Sequence, residues 1–361
     1  MSRFLFRVPK LPSRNYALQM QSFRLFSYPS YCQRDPYFIL GKPNNIGDGD
    51  GINFFSLRTC CLCYLKKEIP CELLEGRGLI GASRGWVATL KKRIVCLHDD
   101  MNLTASESNP KRISLPPLVT LPHCQTQIVT SVAMSSSSPE NDDCIVAVKF
   151  LGPQLSLIRP SQDSMWTNIR IADPSFSTSN VMFSQRDKMF SLPASGGSHM
   201  GSWDLHKHRD KPKLQKLLFQ NLPRLRKTER ELLDSCYKTE HLVESSAGET
   251  FLVIWYRYGT EDMSHFETKD FRVFKLDGNG NAFYTKDIGD FSIFLSKSEP
   301  FCETSLFLLD RNCIYYVDVH ESKSTIELGG FSLRRPGSAE INFSTHHATK
   351  VPYYFPKQAM R

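Results

Sequence analysis

Hydrophobic and polar residues alternate along most of the chain from about residue 55 onward. A period of two residues places successive side chains on opposite faces and is typical of β-strands. The segments 143–150 and 313–319 follow it, and in 165–171 the residues Met165, Thr167, Ile169 and Ile171 are predicted to share a face. The aromatic and β-branched segment 251–258 predicts a strand that is buried on both faces.

Turn-forming residues separate these segments. Asp277-Gly278-Asn279-Gly280-Asn281 lies between two β segments and predicts a hairpin with positive-φ residues at its tip. The segments 195–198 and 244–249 predict two further connections. Many short strands with polar turns are typical of all-β folds.

The amount of predicted sheet favours a β-propeller over a single sandwich. Blades of four strands and about 40–50 residues would give about six or seven small antiparallel blades. Trp203-Asp204 is a single copy of the Trp-Asp pair that occurs in propellers. Five segments each resemble two to four strands of a blade: 143–171, 180–206, 241–275, 281–295 and 313–333.

The segment 207–235 departs from this pattern because it is rich in Lys, Arg and Leu. A helix is predicted at about 226–235, after Pro223. Its basic residues indicate a solvated surface, and a patch for a partner is the alternative. These residues are Arg224, Arg226, Lys227 and Arg230.

The first 34 residues resemble an organellar transit peptide, because they contain six basic residues, several serines and no acidic residue. Arg24, Phe26 and Ser27 fit a mitochondrial processing pattern with cleavage after Phe26. Mitochondrial import is therefore expected, through import receptors that bind residues 1–34. A plastid address and a basic tail with no import role, leaving the protein in the cytoplasm or nucleus, are the alternatives.

The resulting domain prediction has four parts. Residues 1–34 are the transit peptide, 35–54 a linker rich in turn formers, 55–356 the propeller, and 357–361 a tail.

Composition narrows the possible partners. The net charge is +8, but residues 35–361 carry 39 basic and 37 acidic residues, so a nucleic-acid partner is not indicated. The longest apolar segments, such as 251–256, are far shorter than the roughly 20 residues that a membrane-spanning helix needs. The 11 cysteines are irregularly spaced, and most are expected to be reduced and buried.

Candidate chemistry is sparse. Cys60 and Cys63 have the spacing of a metal or redox pair, with Cys71 beyond, but no second pair follows and His98 stands alone. Buried strand cysteines are the favoured interpretation, and a metal or redox role stays the alternative. The pairs His206/His208 and His346/His347 are interpreted as surface or loop residues. No catalytic, cofactor-binding or metal-binding residue is assigned, and no cofactor is expected.

A series of short motifs in a fixed order resembles the plant domain-of-unknown-function 295 family, also described as KIB-type β-propellers. The resemblance covers about residues 75–356. The motifs lie at 81–87, 115–118, 143–150, 203–205, 240–245, 284–290, 296–301 and 352–356. The segment 303–312 is shorter than the corresponding Gly/Pro loop of the family.

The resemblance implies a propeller without established catalytic residues. Many relatives carry an F-box and act as substrate adaptors of ubiquitin ligases, but residues 1–50 lack the helical leucine-proline pattern of an F-box, so this chain is expected in an organellar branch. The expected function is a non-enzymatic, organelle-targeted protein that binds an unidentified protein partner. A cytosolic or nuclear ubiquitin-ligase adaptor is the alternative, and an enzyme with a site in the central channel is a third possibility.

Overall fold

Six small β-sheets surround a common axis in the computed structural model, which describes residues 36–41, 51–57, 61–106, 108–122, 128–259, 266–304, 310–320, 325–334 and 351–356. The protein is therefore a six-bladed β-propeller. The sequence-based prediction of an all-β propeller is confirmed, and of the two predicted blade numbers the lower is correct.

The first three blades are mostly built from consecutive antiparallel strands. Blade 1 contains β1 (Tyr37–Gly41), β2 (Ile52–Ser56) and β3 (Cys61–Leu65). A four-residue helix, α1 (Cys71–Leu74), connects it to the next blade. Blade 2 contains β4 (Leu79–Ser83), β5 (Trp86–Lys91), β6 (Ile94–His98) and β7 (Arg112–Pro117). Blade 3 contains β8 (Val129–Met134), β9 (Val146–Phe150), β10 (Gln154–Ile158) and β11 (Thr167–Arg170).

The second half of the chain forms blades 4 to 6. A 3₁₀ turn (Pro174–Phe176) leads to β12 (Met182–Ser184), β13 (Met189–Pro193), β14 (His199–Trp203) and β15 (Lys213–Lys216) of blade 4. Blade 5 contains β16 (Leu218–Gln220), β17 (Tyr237–Glu244), β18 (Thr250–Gly259), β19 (Phe266–Leu276) and β20 (Asn281–Thr285), with α2 (Lys227–Ser235) before β17. Blade 6 contains β21 (Phe291–Leu295), β22 (Phe301–Thr304), β23 (Cys313–His320) and β24 (Thr325–Ser332).

Blade 1 closes the ring because it combines strands from both ends of the described chain. Its fourth strand, β25 (Tyr354–Phe355), pairs antiparallel with β1, and the rings of Tyr37 and Phe355 stack with centroids 4.9 Å apart. The predicted linker at 35–54 is therefore wrong for β1 and for the part of β2 that it included. Each of these strands has only five residues and lies next to a run of turn formers. The alternation of hydrophobic and polar residues in them was therefore too short to be recognised.

Blades 5 and 6 depart from consecutive antiparallel order. In blade 5, β16 pairs parallel with the outer strand β20, and in blade 6, β21 pairs parallel with β23. The segment 281–295, predicted to belong to one blade, is divided between blades 5 and 6. That prediction was wrong because alternation identifies strands without showing which strands pair.

Hydrophobic clusters fill the spaces between neighbouring blades. The described buried residues form six such clusters, one between each pair of successive blades, including the pair of blades 6 and 1. Alternation sends side chains of one strand to two clusters: Tyr315 packs between blades 6 and 1, and Tyr316 between blades 5 and 6. Burial on both faces of each sheet is what holds the ring closed.

Most predicted local features are confirmed. Residues 277–281 join β19 to β20 with Gly280 at φ 90°, and residues 195–198 join β13 to β14 with both glycines at positive φ. The predicted helix corresponds to α2. Met165 is an exception, because it precedes β11 and is exposed instead of sharing the buried face of Ile169 and Ile171.

Candidate functional site

The propeller axis is surrounded by the inner edge strands of the six sheets. These strands are β25, β4, β8, β12, β17 and β22. Neighbours in the series from β4 to β22 contact one another directly. The short connection between β21 and β22, residues 296–300, reaches several of them at one end of the axis, and we call it the axial segment.

Glu299 of the axial segment is buried and links three blades. Its carboxylate accepts hydrogen bonds from the Ser83 hydroxyl at 2.5 Å and from the Phe183 backbone N–H at 2.7 Å. Ser83 in turn accepts a hydrogen bond from the Met134 N–H at 3.0 Å. Burial raises the pKa of Glu299, while the Arg84 guanidinium and these hydrogen bonds oppose the rise.

Backbone contacts fix the axial segment on the opposite side. The N–H of Lys297 donates to the carbonyl of Pro352 at 3.2 Å, the Ser298 hydroxyl donates to the carbonyl of Tyr354 at 3.1 Å, and the Glu299 N–H donates to the carbonyl of Ala82 at 2.7 Å. The polar groups of the axial segment are thus used in holding blades 1 to 4 together. This arrangement is structural.

A more open polar region lies beside blade 5, between α2 and the sheet. It is a cleft of about 570 Å³. Its wall is formed by the segment 222–225 and α2, and its floor by side chains of β17, β18 and β19. Because Tyr237 pairs with Arg257 and Gly259 with Phe266, α2 lies at the end of the sheet where β18 turns back to β19. We call this side of the disc the α2 face.

Local sequence explains how α2 forms the wall. The helix begins after Pro223 and Arg226, where the Arg226 N–H donates to the Glu229 carboxylate at 3.0 Å. Leu233 is buried against blade 5 and Leu225 packs beside the same cluster. This packing leaves Arg230 and Asp234 lining the cleft.

The floor of the cleft combines an aromatic ring with two cations. The Lys238 ammonium and the Arg272 guanidinium lie 5.5 and 5.4 Å from the centroid of the buried Tyr256 ring. Both distances are within the range of cation–π attraction. Burial raises the pKa of the Tyr256 hydroxyl, so this side chain stays neutral.

Arg272 has an unused donor. Its Nε lies 3.6 Å from an Asp270 carboxylate oxygen, but its buried Nη2 has no hydrogen-bond partner among the described residues. Burial raises the pKa of Asp270, and the charge of Arg272 opposes this rise. The lining contains four cations, Arg224, Arg230, Lys238 and Arg272, and one carboxylate, Asp234. The cleft is therefore suited to an anionic group.

Exposed apolar side chains lie on α2 and on the segments beside it. Leu222, Leu232, Tyr237 and Tyr258 are each more than two-fifths exposed. Protein-binding surfaces are enriched in aromatic residues and Arg, and this surface contains both. The lining of the cleft, as far as the structure describes it, contains no Ser, Thr, Cys or His.

Most of the cysteines, histidines and other candidate residues named from the sequence lie far from one another in the structure. Cys63 is buried in the cluster between blades 1 and 2, whereas Cys60 lies outside the described residues. Asp204 accepts hydrogen bonds from the backbone N–H groups of His206 and His208 at 2.9 and 2.7 Å, which makes it a turn residue. No group of three metal-ligating side chains occurs in the described ranges. The helices described are all too short or too polar to pass through a lipid bilayer.

Several other predictions fall outside the described residues. These are the transit peptide at 1–34 with Arg24, Phe26 and Ser27, the pair His346/His347, and the tail at 357–361.

The basic cluster was found in part. Arg224 and Arg230 line the cleft, whereas Arg226 caps the start of α2 and Lys227 is exposed on it. Lys238, Tyr256 and Arg272 were missed because they come from three strands. The sequence contained one signal for them. Each is a basic or aromatic residue inside a predicted strand, at a position where the alternation of side chains is compatible with burial.

Three kinds of comparison relate the chain to known proteins. A family model described as KIB1-4 beta-propeller matches residues 54–337. No curated protein sequence matches the chain. Among solved structures, AztD from Citrobacter koseri is similar at 11% identity and a TM-score of 0.34, over 70% of this chain and 60% of AztD.

Two further structures are enzymes. A catalytically inactive virginiamycin B lyase from Staphylococcus aureus, with quinupristin, has 10% identity and a TM-score of 0.33, over 86% of this chain and 90% of the lyase. The PQQ-bound aldose sugar dehydrogenase from Streptomyces coelicolor has 8% identity and a TM-score of 0.32, over 77% of this chain and 81% of the dehydrogenase. The chain spans about 60% of the length of AztD.

Proposed function

The chain belongs to the KIB1-4 beta-propeller family, and from that premise we propose that it is a non-enzymatic binding protein whose cleft takes an acidic segment of a protein partner. The observation that carries the proposal is the buried Nη2 of Arg272, which has no hydrogen-bond partner among the described residues. A buried donor without a partner costs free energy, and a carboxylate from a partner would satisfy it.

The surroundings of Arg272 favour a protein segment over a free small anion. The cleft is open to the α2 face, and exposed apolar side chains such as Leu222 and Tyr237 lie beside it. Aspartate or glutamate side chains would pair with Arg272 and with Lys238, whose ammonium lies 3.8 Å from Asp234 in the free protein. Apolar residues on either side of them would contact the exposed Leu222 and Tyr237. Rigid blades with loops and helices on one face suit this kind of recognition.

The binding test uses the purified full-length chain and a fluorescein-labelled hexaglutamate peptide. Anisotropy titrations are expected to show saturable binding that weakens with added salt. Arg230→Glu should weaken it about three- to tenfold, because a cation of the wall becomes an anion. Lys207→Glu is the matched control. It is the same charge reversal at an exposed residue of the loop after β14, on the opposite face of the disc, and it should leave the affinity unchanged.

Equal weakening by both variants would show that general charge causes the binding, and would contradict a role for the cleft. Co-purification of a Skp-type ubiquitin-ligase subunit from plant cells would instead support the adaptor function.

The proposal extends to the site of action, which is an organelle and most simply the mitochondrion. Its support is the sequence of residues 1–34, with six basic residues and no acidic one. A fluorescent fusion of residues 1–50 is expected in mitochondria, and plastid fluorescence would indicate the alternative address. A matched fusion with Arg3, Arg7, Arg14 and Arg24 changed to Gln should remain in the cytosol. Cytosolic fluorescence of the unchanged fusion would contradict organellar import.

A further inference from the structure

A second polar cluster lies on blade 2, away from the cleft. Cys96 and His98 are two residues apart on β6, so they point to the same face of the sheet, while Val95 and Leu97 are buried on the opposite face. Strand register places Thr89 of β5 and Ser114 of β7 opposite Cys96, and Arg112 opposite His98. Five polar side chains therefore meet on one side of blade 2.

A hydrogen bond to Thr89 and a close contact with Asp100 orient the imidazole. His98 Nε2 lies 2.8 Å from the Thr89 hydroxyl, and His98 Nδ1 lies 3.6 Å from an oxygen of Asp100. Arg112 donates to both carboxylate oxygens of Asp100, at 2.7 and 3.2 Å. Asp100 is fully buried, so its negative charge is stabilised by Arg112 and His98 instead of by water.

The charges of the cluster follow from these contacts. Burial would raise the pKa of Asp100, but hydrogen bonds and charge attraction from His98 and Arg112 lower it to about 2. Burial would lower the pKa of His98, but the neighbouring Asp100 carboxylate and Cys96 sulfur favour the charged imidazolium and raise it to about 9. His98 is therefore an imidazolium at neutral pH, next to the Cys96 thiol.

Cys96 thus faces two cations. Burial opposes its ionisation, but the nearby His98 imidazolium, a hydrogen bond from Ser114 and the charge of Arg112 outweigh burial and lower the pKa of the thiol. The Ser114 hydroxyl lies 3.9 Å from Sγ. The other charged groups nearby are Asp99 and Asp100, and Asp100 is already paired with Arg112 and His98. A thiolate is the nucleophilic form of cysteine.

We propose that Cys96 is a modification site that forms a mixed disulfide with a low-molecular-weight disulfide such as glutathione disulfide. The Cys96 thiolate attacks one sulfur of the reagent, a new S–S bond forms, and the original S–S bond breaks. The other half leaves as a thiolate, so the reagent is the oxidant and one of its sulfurs is reduced. Cys96 is half-buried, which leaves it open to small reagents.

The first test compares two cysteines of the same chain. Cys71 is exposed on α1 and is the internal reference. The full-length protein is alkylated with iodoacetamide at pH 6 and pH 8, and the rate at each cysteine is read by peptide mass spectrometry. An ordinary thiol should react about seventyfold faster at pH 8 than at pH 6, because its thiolate fraction rises in that proportion. The rate at Cys96 is expected to rise by a clearly smaller factor, because the pKa of its thiol is lowered.

A variant shows whether His98 causes the difference. His98→Gln keeps a side chain that can bond to Thr89 but removes the positive charge, so the pH dependence at Cys96 should approach that at Cys71. The two cysteines are compared within one protein, so an effect of the substitution on overall folding would change the alkylation rates at both.

The second test is the proposed reaction itself. With glutathione disulfide at pH 6.5, the mixed disulfide is expected at Cys96 before Cys71, and less of it in His98→Gln. Equal pH dependence at the two cysteines, or no mixed disulfide at Cys96, would overturn the proposal.

Discussion

The axial segment and the cleft are both rich in polar groups, but they use them differently. At the axis, Glu299 accepts from Ser83 and Phe183, and each neighbouring polar group is paired within the ring. In the cleft, Arg272 keeps a buried donor without a partner in the described structure, and cations outnumber carboxylates along the lining. Polar groups that are satisfied inside the fold contribute to stability, whereas groups left unsatisfied are available to a ligand.

The largest expected effect is at the axis. Glu299→Ala would leave the Phe183 N–H and the Ser83 hydroxyl without their acceptor, and should lower the free energy of unfolding by about 2–4 kcal/mol. Urea unfolding measures the loss. Glu299→Gln retains an acceptor for Phe183 and should cost clearly less. A loss below about 0.5 kcal/mol for Glu299→Ala would show that the axial segment does not hold the ring together.

The same pair of proteins gives a test of the charge on Glu299. Its folded-state pKa is raised, so its contribution is fully present below the pKa of the unfolded chain and is lost as pH rises through the folded value. Glu299→Gln does not titrate, so wild type should lose stability relative to the variant as pH rises from 4. The opposite trend would contradict a buried, hard-to-ionise carboxyl group.

The next effect concerns His241, a buried inner-strand residue of blade 5. Burial, helped by the Arg257 charge, lowers its pKa from 6.5 to about 3. Below pH 6.5 the unfolded chain therefore takes up a proton that the folded chain does not. The equilibrium should shift toward unfolding by about tenfold per pH unit until the pH approaches 3. Urea unfolding of wild type and His241→Gln between pH 7 and 5 isolates the contribution of His241 to the free energy of unfolding. The same pH dependence of stability in both proteins would contradict the prediction.

The smallest effect on stability is expected in the cleft, together with a large effect on binding. Arg272→Gln should weaken binding of the hexaglutamate peptide about tenfold and lower the free energy of unfolding by less than Glu299→Ala does, because the 3.6 Å contact of its Nε with Asp270 is longer than a hydrogen bond. Anisotropy and urea unfolding of the same preparation give both values. Unchanged affinity with a large loss of stability would make Arg272 a structural residue like Glu299.

Alternation predicted the architecture because every blade buries both faces of its sheet. It did not give the pairing of strands. Blade 1 takes β1 and β25 from distant parts of the sequence, and β20 and β21 are neighbours in sequence but lie in different blades. The number of blades follows only when the pairing is known.

The candidate site was predicted to the extent that it is local in sequence. Arg224 and Arg230 belong to a basic segment that can be read directly, whereas Lys238, Tyr256 and Arg272 come together through strand register. Glu299 illustrates the same limit, because an acidic residue in a Ser-rich connection resembles any exposed turn until the ring places it at the axis. Cys96 and His98 could be recognised as same-face residues, but Asp100 and Arg112 complete their cluster only in the folded blade.

The most direct test of the binding site is a zero-length carbodiimide cross-link between the hexaglutamate peptide and the folded protein, mapped by mass spectrometry. Lys238 lies in the cleft with about a third of its side chain exposed, and should be a main site of coupling. Lys207, exposed on the opposite face, should couple weakly. Coupling at Lys207 equal to that at Lys238, or no coupling at Lys238, would contradict recognition of an acidic segment by the cleft.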